Sequence, residues 1–325
     1  MTAPVTLTAI SPFAWEHPTD RAALGALQQI PGFDSLLRKV VGTFGERNIR
    51  MSYQAEAIKV GPNQYPDLHQ MLVEVCRVLD TEAPPLYISQ TPLANAGAVG
   101  MDHPFIVINS SLVELATPIQ LAAVLGHEVG HVISDHALYR TLLFLLLDLA
   151  RPAVPLVSQA MLPITLALQE WSRKAEVSCD RAGLLAVQDL DASFGVLATM
   201  AGGVRGRAGE LDLDAFKAQS DEHMDVEGLT AFYKFMGTIG RTHPYPVVRV
   251  AELRKWVDSG AYETIVGGDY AKVGDDHPYR ADAATAGRNF SETASQVFED
   301  TEQYVNKALL GVVERAQNFL DDRKD

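Results

Sequence analysis

Two stretches of the chain carry apolar side chains at the spacing of an amphipathic helix. In YPDLHQMLVEVCRVLD, residues 65–80, they recur every three or four positions and therefore share one helix face. In ATPIQLAAVLGHEVGHVISDHALYR, Thr117 suits the N-cap, Pro118 the first helical position and Gln120 a capping box. We therefore expect one continuous helix from Pro118 to about Tyr139.

Short β-rich runs lie between these two helices. PLYISQ, residues 85–90, and FIVIN, residues 105–109, combine β-branched and aromatic side chains over the length of a strand. NAGAVG, residues 95–100, is either a glycine-rich turn or a weak strand. Further predicted helices cover residues 164–188, parts of 192–240, and the stretch from Pro246 to Trp256.

The pattern predicts an α+β, mostly α fold with a small β-sheet, divided into three parts. Residues 1–64 form an N-terminal helical extension, 65–260 the main domain and 261–325 a C-terminal extension. In the last part, apolar positions between Phe290 and Phe319 predict one long amphipathic helix. We expect this helix to dock on the main domain or on a partner chain.

Residues 141–168 form the most apolar stretch of the sequence. No uninterrupted apolar run of about 18 residues exists there, so a spanning helix is not predicted. Two interpretations stay open: a buried apolar helical hairpin, or a surface that contacts a membrane or a partner. Polar and helix-breaking residues interrupt the stretch at Asp148, Arg151, Pro152, Pro155 and Pro163.

The charge balance narrows the classes of partner. The 325-residue chain has a formal net charge of −14 and no run of Lys and Arg, which argues against nucleic acid as a partner. Cys76 and Cys179 are far apart and outside any CxxC motif, so we expect two small buried side chains in a reducing compartment. The N-terminus lacks a secretory signal pattern. We expect a cytoplasmic protein, with peripheral membrane contact through 141–168 or the C-terminal helix as a further possibility.

The second predicted helix contains a cluster of candidate metal ligands. In HEVGH, His127 and His131 are four residues apart and present two imidazoles on one helix face, a spacing suited to zinc. Glu128 lies about 100° around the helix, where it can reach a water molecule whose pKa the metal has lowered towards roughly 7. A chance match is the alternative, but Gly126 and Gly130 each disfavour the helix by about 1 kcal/mol, which indicates close approach by another element.

A catalytic zinc site requires a third protein ligand. His136 lies nine residues after His127 and points away on a continuous helix, so we assign it to support or packing. In the helix that contains AEVSCDRAG, Glu176 can bind zinc and Asp180, one turn later, can accept the outer N–H of His127. From spacing alone, an ordinary surface pair of acids remains the alternative.

Three blocks in order, HEVGH, AEVSCDRAG and THPYPVVRVAEL, resemble the signature of one metallopeptidase family. These are the gluzincins that include the CAAX prenyl proteases, the HtpX-type membrane proteases and their soluble bacterial relatives. NAGAVG matches a further segment of that family, and the resemblance covers roughly residues 65–260. It implies a zincin fold and a soluble member of the family, because residues 141–168 are too interrupted to match the spanning helices of the membrane-bound relatives.

The resemblance also implies individual roles. It assigns one Zn²⁺ per chain to His127, His131 and Glu176, and the role of general acid and base to Glu128. His243, in the THP block, is the implied donor to the oxyanion of the tetrahedral intermediate. For Arg249, an ion pair with an acid near the site and a plain helix-anchoring role both stay open.

The substrate is expected to lie along the sheet. An edge strand of a zincin pairs with the backbone of a peptide, and we place 105–109 at that edge, with an ordinary core strand as the alternative for this run. The expected substrate-binding residues are Asn95, Ala96, Phe105, Ile106 and Val107. The expected function is a zinc endopeptidase of protein quality control or processing. The alternatives are a latched, chaperone-like binding protein with little activity, and a zinc hydrolase that acts on a non-peptide amide.

Overall fold

The computed structural model describes residues 3–18, 20–21, 24–25, 46–149, 155–204, 206–225 and 244–275. Within these ranges the protein is α+β and mostly α, as predicted. The helices are α1 Glu46–Glu56, α2 Pro66–Val78, α3 Ser110–Leu115, α4 Pro118–Ile133, α5 His136–Leu149, α6 Pro155–Val187, α7 Leu190–Gly202, α8 Leu213–Met224, α9 Pro246–Asp258 and α10 Ala261–Val266. The strands are β1 Ala57–Lys59, β2 Leu86–Ser89, β3 Ala96–Val99 and β4 Phe105–Asn109.

The four strands form one mixed sheet in the order β1-β2-β4-β3. β4 pairs in parallel with β2 and antiparallel with β3, so both of its edges are used. The prediction that 105–109 is the edge strand was therefore wrong. A run in which Phe105, Ile106, Val107 and Ile108 are all buried is typical of an interior strand. The outer strands are β1 and β3, and β3 is the NAGAVG segment, whose identity as a strand the sequence left open.

Helix α4 begins as predicted but ends earlier. Thr117 Oγ1 accepts a hydrogen bond from the Gln120 backbone N–H, and Gln120 Oε1 accepts one from the Thr117 N–H. The helix stops at Ile133 and not near Tyr139, because Asp135 adopts a left-handed φ of 56°. Asp tolerates this conformation better than most residues. A new helix, α5, starts at His136, so the side chain at 136 no longer follows the phase of α4.

Helices α4 and α6 cross in very close contact. A Cβ built on Gly126 would lie 2.5 Å from the Ala186 Cβ, and one on Gly130 would lie 2.6 Å from the Ala182 Cβ. A Cβ on Gly183 would lie 2.7 Å from the Ala123 carbonyl oxygen. The predicted close approach at Gly126 and Gly130 is confirmed, and it brings the backbones of two long helices almost into contact.

The core includes both the sheet side of α4 and the N-terminal segment. Leu7, Ile10 and Trp15 are buried in the same hydrophobic cluster as Leu125 and Leu184. The three-part domain division stays a prediction, and the predicted C-terminal helix at 290–319 lies outside the described residues. Helices occupy both ends of the 141–168 stretch, and within the described ranges no helix is both long and apolar enough to cross a bilayer.

The two cysteines are free thiols and buried, as predicted. Burial raises the pKa of Cys76 to about 12 and raises that of Cys179 well above its usual value. Both side chains are therefore neutral, small apolar groups at physiological pH.

A Gly183→Ala substitution should destabilise the protein. The added methyl group would contact a backbone carbonyl that cannot move without shifting α4, and overpacking of this kind costs about 1–3 kcal/mol. Gly202→Ala is the matched control, because a Cβ there meets nothing within 4 Å; it should be neutral or stabilising by up to about 1 kcal/mol. Urea unfolding followed by circular dichroism measures both, and equal free energies of unfolding would contradict this account of the helix crossing.

Candidate metal centre

Three side chains that could hold a metal ion meet where α4 crosses α6. His127 and His131 project from α4, and Glu176 projects from α6. The Nε2 atoms of the two histidines are 3.1 Å apart. Glu176 Oε2 lies 3.4 Å from His127 Nε2, and Glu176 Oε1 lies 3.3 Å from His131 Nε2. The structure thus brings together the three residues that the sequence analysis assigned as ligands.

The spacing of these donor atoms fits a tetrahedral metal ion. Ligand bonds of about 2.0–2.2 Å to zinc place tetrahedral donors roughly 3.3–3.6 Å apart. The two Nε2 atoms are 3.1 Å apart, and each faces a different oxygen of Glu176, at 3.4 Å for His127 and 3.3 Å for His131, so all three separations are close to this range. Two imidazole nitrogens and one carboxylate also form a donor set that zinc binds in catalytic sites, with a fourth position left for water or substrate.

A carboxylate and an arginine contact the Nδ1 side of the His127 ring. His127 Nδ1 lies 3.1 Å from Asp180 Oδ1, the contact predicted from the four-residue spacing of Glu176 and Asp180. Arg249 Nε donates to Asp180 Oδ2 at 2.8 Å, and its Nη2 donates to Oδ1 at 2.5 Å. The ion pair between Arg249 and an acid near the site is therefore confirmed, and the plain anchoring role is not needed.

The electrostatics of this group differ between the two histidines. Burial lowers the pKa of His127, but its hydrogen bonds to Asp180 and Glu176 raise it by more, to about 9. Burial raises the pKa of Asp180, whereas the ion pair with Arg249 lowers it by more, so Asp180 is ionised. The carboxylates of Asp180 and Glu176 thus favour positive charge on His127, whereas burial and the nearby Arg140 lower the pKa of His131 well below its usual value.

Glu128 lies beside the ligand group and under β3. Its side chain is only 4% exposed, and the backbone N–H of Ala98 donates to its carboxylate. Its Oε2 atom has no hydrogen-bond partner among the described residues. Burial raises the pKa of Glu128, an effect that the nearby Arg140 partly opposes. A carboxyl group with a raised pKa is suited to exchange protons near neutral pH.

The exposed edge of β3 faces this site. The Asn95 carbonyl accepts from the Asn109 N–H, so alternation along an antiparallel pair turns the N–H and C=O groups of Ala96 and Ala98 away from β4. A cavity of about 360 Å³ follows this edge, and one of about 40 Å³ lies on the other side of His127 and Glu128. Both cavities are lined by Asn95 and Ala96, two predicted substrate-binding residues.

The other predicted substrate-binding residues lie deeper. Phe105 and Ile106 are fully buried in β4, and Val107 is 7% exposed and lines the larger cavity. Their backbone cannot pair with a further strand, because β2 and β3 already occupy both sides. The remaining predicted site residue, His243, lies outside the described residues.

Sequence reasoning missed one cation at this site. Arg140 Nη1 lies 2.9 Å from Glu176 Oε1 and also contacts His131 Nε2. Arg140 follows the break at Asp135. A helix assumed to be continuous therefore does not give the direction of its side chain relative to α4. The signal in the sequence was a lone arginine at the start of the apolar run TLLFLLL.

Comparison with known proteins supports the interpretation of this geometry. Residues 62–257 match the family model described as Peptidase family M48. The chain belongs to this family. The resemblance to HtpX-type proteases is thereby confirmed, and this M48 protein is a metallopeptidase.

Relatives of the M48 protein differ in how much of the chain they cover. It is 36% identical over 258 residues to the plastoglobule-localized metallopeptidase 48 of Arabidopsis thaliana, which covers 78% of this chain and 74% of that protein. It is 26% identical over 229 residues to the protease HtpX homolog 2 of Methanosarcina acetivorans, at 60% and 74% coverage. With the protease HtpX homolog of Moorella thermoacetica, 32% identity extends over 102 residues, or 31% and 33%. No solved structure matches.

Asp180→Asn should weaken metal binding by the M48 protein about 10–100-fold, as is typical when the partner of a ligating histidine is removed. The amide keeps the volume but loses the charge that faces His127 Nδ1. Asp221→Asn is the matched control, since Asp221 pairs with Arg254 on the surface and away from the ligands. Competition with a chromophoric chelator measures both affinities, and an unchanged affinity in Asp180→Asn would refute the assigned contact.

Proposed function

We propose that this M48 metallopeptidase is a zinc-dependent endopeptidase that holds one Zn²⁺ per chain with His127, His131 and Glu176. The observation that carries the proposal is the convergence of these three donors at 3.1–3.4 Å on two tightly packed helices. A bound zinc ion would polarise the peptide carbonyl and lower the pKa of water to roughly 7.

Glu128 is the general acid and base of the proposed reaction. Its carboxylate takes a proton from the attacking water and then delivers it to the nitrogen of the leaving amine. The Ala98 N–H fixes one side of this carboxylate, while Oε2 is left to contact the reactants. His243 is the proposed donor that stabilises the oxyanion of the tetrahedral intermediate.

The substrate is a peptide or protein segment in extended conformation. Its backbone pairs with the outward N–H and C=O groups of Ala96 and the outward C=O of Ala98 on β3, the exposed edge nearest Glu128, while the Ala98 N–H stays on the Glu128 carboxylate. Asn95 lies at the start of this edge, while Phe105, Ile106 and Val107 support β3 from the interior of the sheet. Backbone pairing along alanine and glycine residues implies broad sequence tolerance.

A role in protein quality control or processing fits this tolerance. We propose that the enzyme acts in the cytoplasm, with peripheral contact to a membrane or lipid surface through residues 141–168 or the C-terminal segment. The name of the Arabidopsis relative, which states that it is localized to plastoglobules, supports an association of this kind.

Glu128→Gln should retain zinc and lose activity. Removing a general acid and base typically costs 10²–10⁴-fold in rate, whereas the ligand atoms are untouched. The readouts are cleavage of a quenched peptide and metal content by elemental analysis. Glu74→Gln, on the exposed face of α2, is the control and should behave as wild type. Turnover near the wild-type rate in Glu128→Gln would overturn the assigned role.

A chelator experiment separates the peptidase from a chaperone-like protein. Unfolded casein should be cleaved by the purified protein, cleavage should stop when a chelator removes the metal, and stoichiometric Zn²⁺ should restore it. Suppression of substrate aggregation that is equal with and without chelator, with casein left intact in both cases, would support the chaperone-like function and contradict the peptidase.

A further inference from the structure

A row of buried polar side chains extends from the metal centre through His131. His131 Nδ1, the ring nitrogen that faces away from Glu176, lies 3.1 Å from His136 Nδ1. His136 Nε2 lies 3.3 Å from Asp20 Oδ2. All three side chains are almost completely inaccessible, with exposures of 0%, 2% and 1% for His131, His136 and Asp20. The mechanism proposed above uses neither His136 nor Asp20.

This row of side chains forms only because α4 ends before residue 136. On a continuous helix, residue 136 would point away from the ligand face. The left-handed Asp135 turns the backbone, and α5 then directs His136 back towards His131. Trp171 on α6 packs edge-on against the His136 ring, with 5.4 Å between the ring centroids, and keeps its plane in place.

Asp20 lies in the N-terminal segment, more than one hundred residues before His136 in the sequence. This segment is fastened to α6 by several hydrogen bonds: the His17 N–H donates to Ser178 Oγ at 2.9 Å, and Arg181 Nη1 donates to the Trp15 carbonyl at 3.1 Å. Ser178 Oγ also donates to Asp20 Oδ2 at 2.6 Å. The carboxylate is therefore held in a fixed, water-poor position beside His136.

The hydrogen bonds define one consistent arrangement of protons. A neutral imidazole carries one N–H, so only one of its nitrogens can bind a metal. Asp20 accepts the proton on His136 Nε2, which leaves His136 Nδ1 as an acceptor. His136 Nδ1 in turn accepts the N–H of His131 Nδ1. The lone pair of His131 Nε2 then lies on the side of Glu176 and the metal position, where it accepts from Arg140 Nη1.

We infer that Asp20 and His136 are positioning residues that fix the ring orientation and tautomer of His131 for metal binding. The inference rests on the proposed function, in which His131 is a zinc ligand. It gives the N-terminal segment a direct part in the metal centre. The Asp180 carboxylate contacts His127 directly, whereas the Asp20 carboxylate acts on His131 through a second imidazole, that of His136.

A second metal site on His131, His136 and Cys179 is the competing explanation, since their donor atoms also cluster. Two features oppose it. His131 Nε2 faces the first site, so its Nδ1 carries the proton, and the Cys179 Sγ, 3.6 Å from His136 Nδ1, is a buried thiol whose pKa burial raises well above its usual value. A positioning role of Asp20 and His136 thus predicts one metal ion per polypeptide chain, whereas a second metal site predicts two.

The test measures zinc affinity of the full-length protein by competition with a chromophoric chelator. His136→Leu removes the acceptor for His131 Nδ1 and should weaken binding about 10–100-fold. His136→Asn should recover most of that loss, because its side-chain oxygen can take the place of His136 Nδ1. Asp20→Asn should weaken binding about tenfold. The matched control is Asp80→Asn, since the Asp80 carboxylate holds the same N-terminal segment at the Ala9 N–H but does not reach the site.

A double variant separates positioning from general support of the fold. If Asp20 acts through His136 Nε2, adding Asp20→Asn to His136→Asn should cause little further loss, because the asparagine no longer reaches Asp20. The Leu72→Ala variant, in the core of α2, serves as a destabilised comparator that should keep its zinc affinity.

The outcomes are distinguishable. Equal loss of affinity from Asp20→Asn in both backgrounds, no rescue by His136→Asn, or two zinc ions per chain that fall to one in His136→Leu would each overturn the inference while leaving the peptidase in place. A wild-type protein that binds no zinc would overturn the proposed function together with it.

Discussion

The close crossing of α4 and α6 is the contact on which the rest of the molecule depends. The two histidines and the glutamate come from different helices, and their donor atoms can lie 3.1–3.4 Å apart only if the helix backbones almost touch. Gly126, Gly130 and Gly183 make that contact possible, because a methyl group on any of them would lie within 3 Å of the opposite helix. The glycines lower helix propensity but set the distance between the ligands.

Around this contact, buried charge is balanced by partners from distant parts of the chain. Asp180 is paired with Arg249 from α9, Glu176 contacts Arg140 from α5, and the Asp20 carboxylate meets Ser178 and His136. Removal of one member of such a group leaves an uncompensated charge in a medium of low polarity, which costs far more than the pair contributes. Substitutions at these contacting residues are therefore not expected to have independent effects.

Local spacing predicted the residues of the site better than it predicted their surroundings. The four-residue repeats of His127 with His131 and of Glu176 with Asp180 are fixed by helix geometry, so they could be read from the chain directly. The edge strand was misassigned, because the order of strands is defined only by the pairings in the folded sheet. The apolar run of β4 and the small residues of β3 do not reveal those pairings. His136 and Arg140 were misplaced or missed for one reason: a single left-handed residue, Asp135, changes the phase of everything after it. Asp20 carries no sequence signal, since its partner is more than one hundred positions away.

The wide separation of the site residues along the chain has a consequence for biosynthesis. Residue 20 leaves the ribosome before both histidines of the HExxH motif, and Arg249 leaves it after them. Because domains fold as units once their non-local contacts can form, a nascent chain that ends before α9 cannot complete the constellation. The complete set of site residues therefore comes together only after α9 has been synthesised.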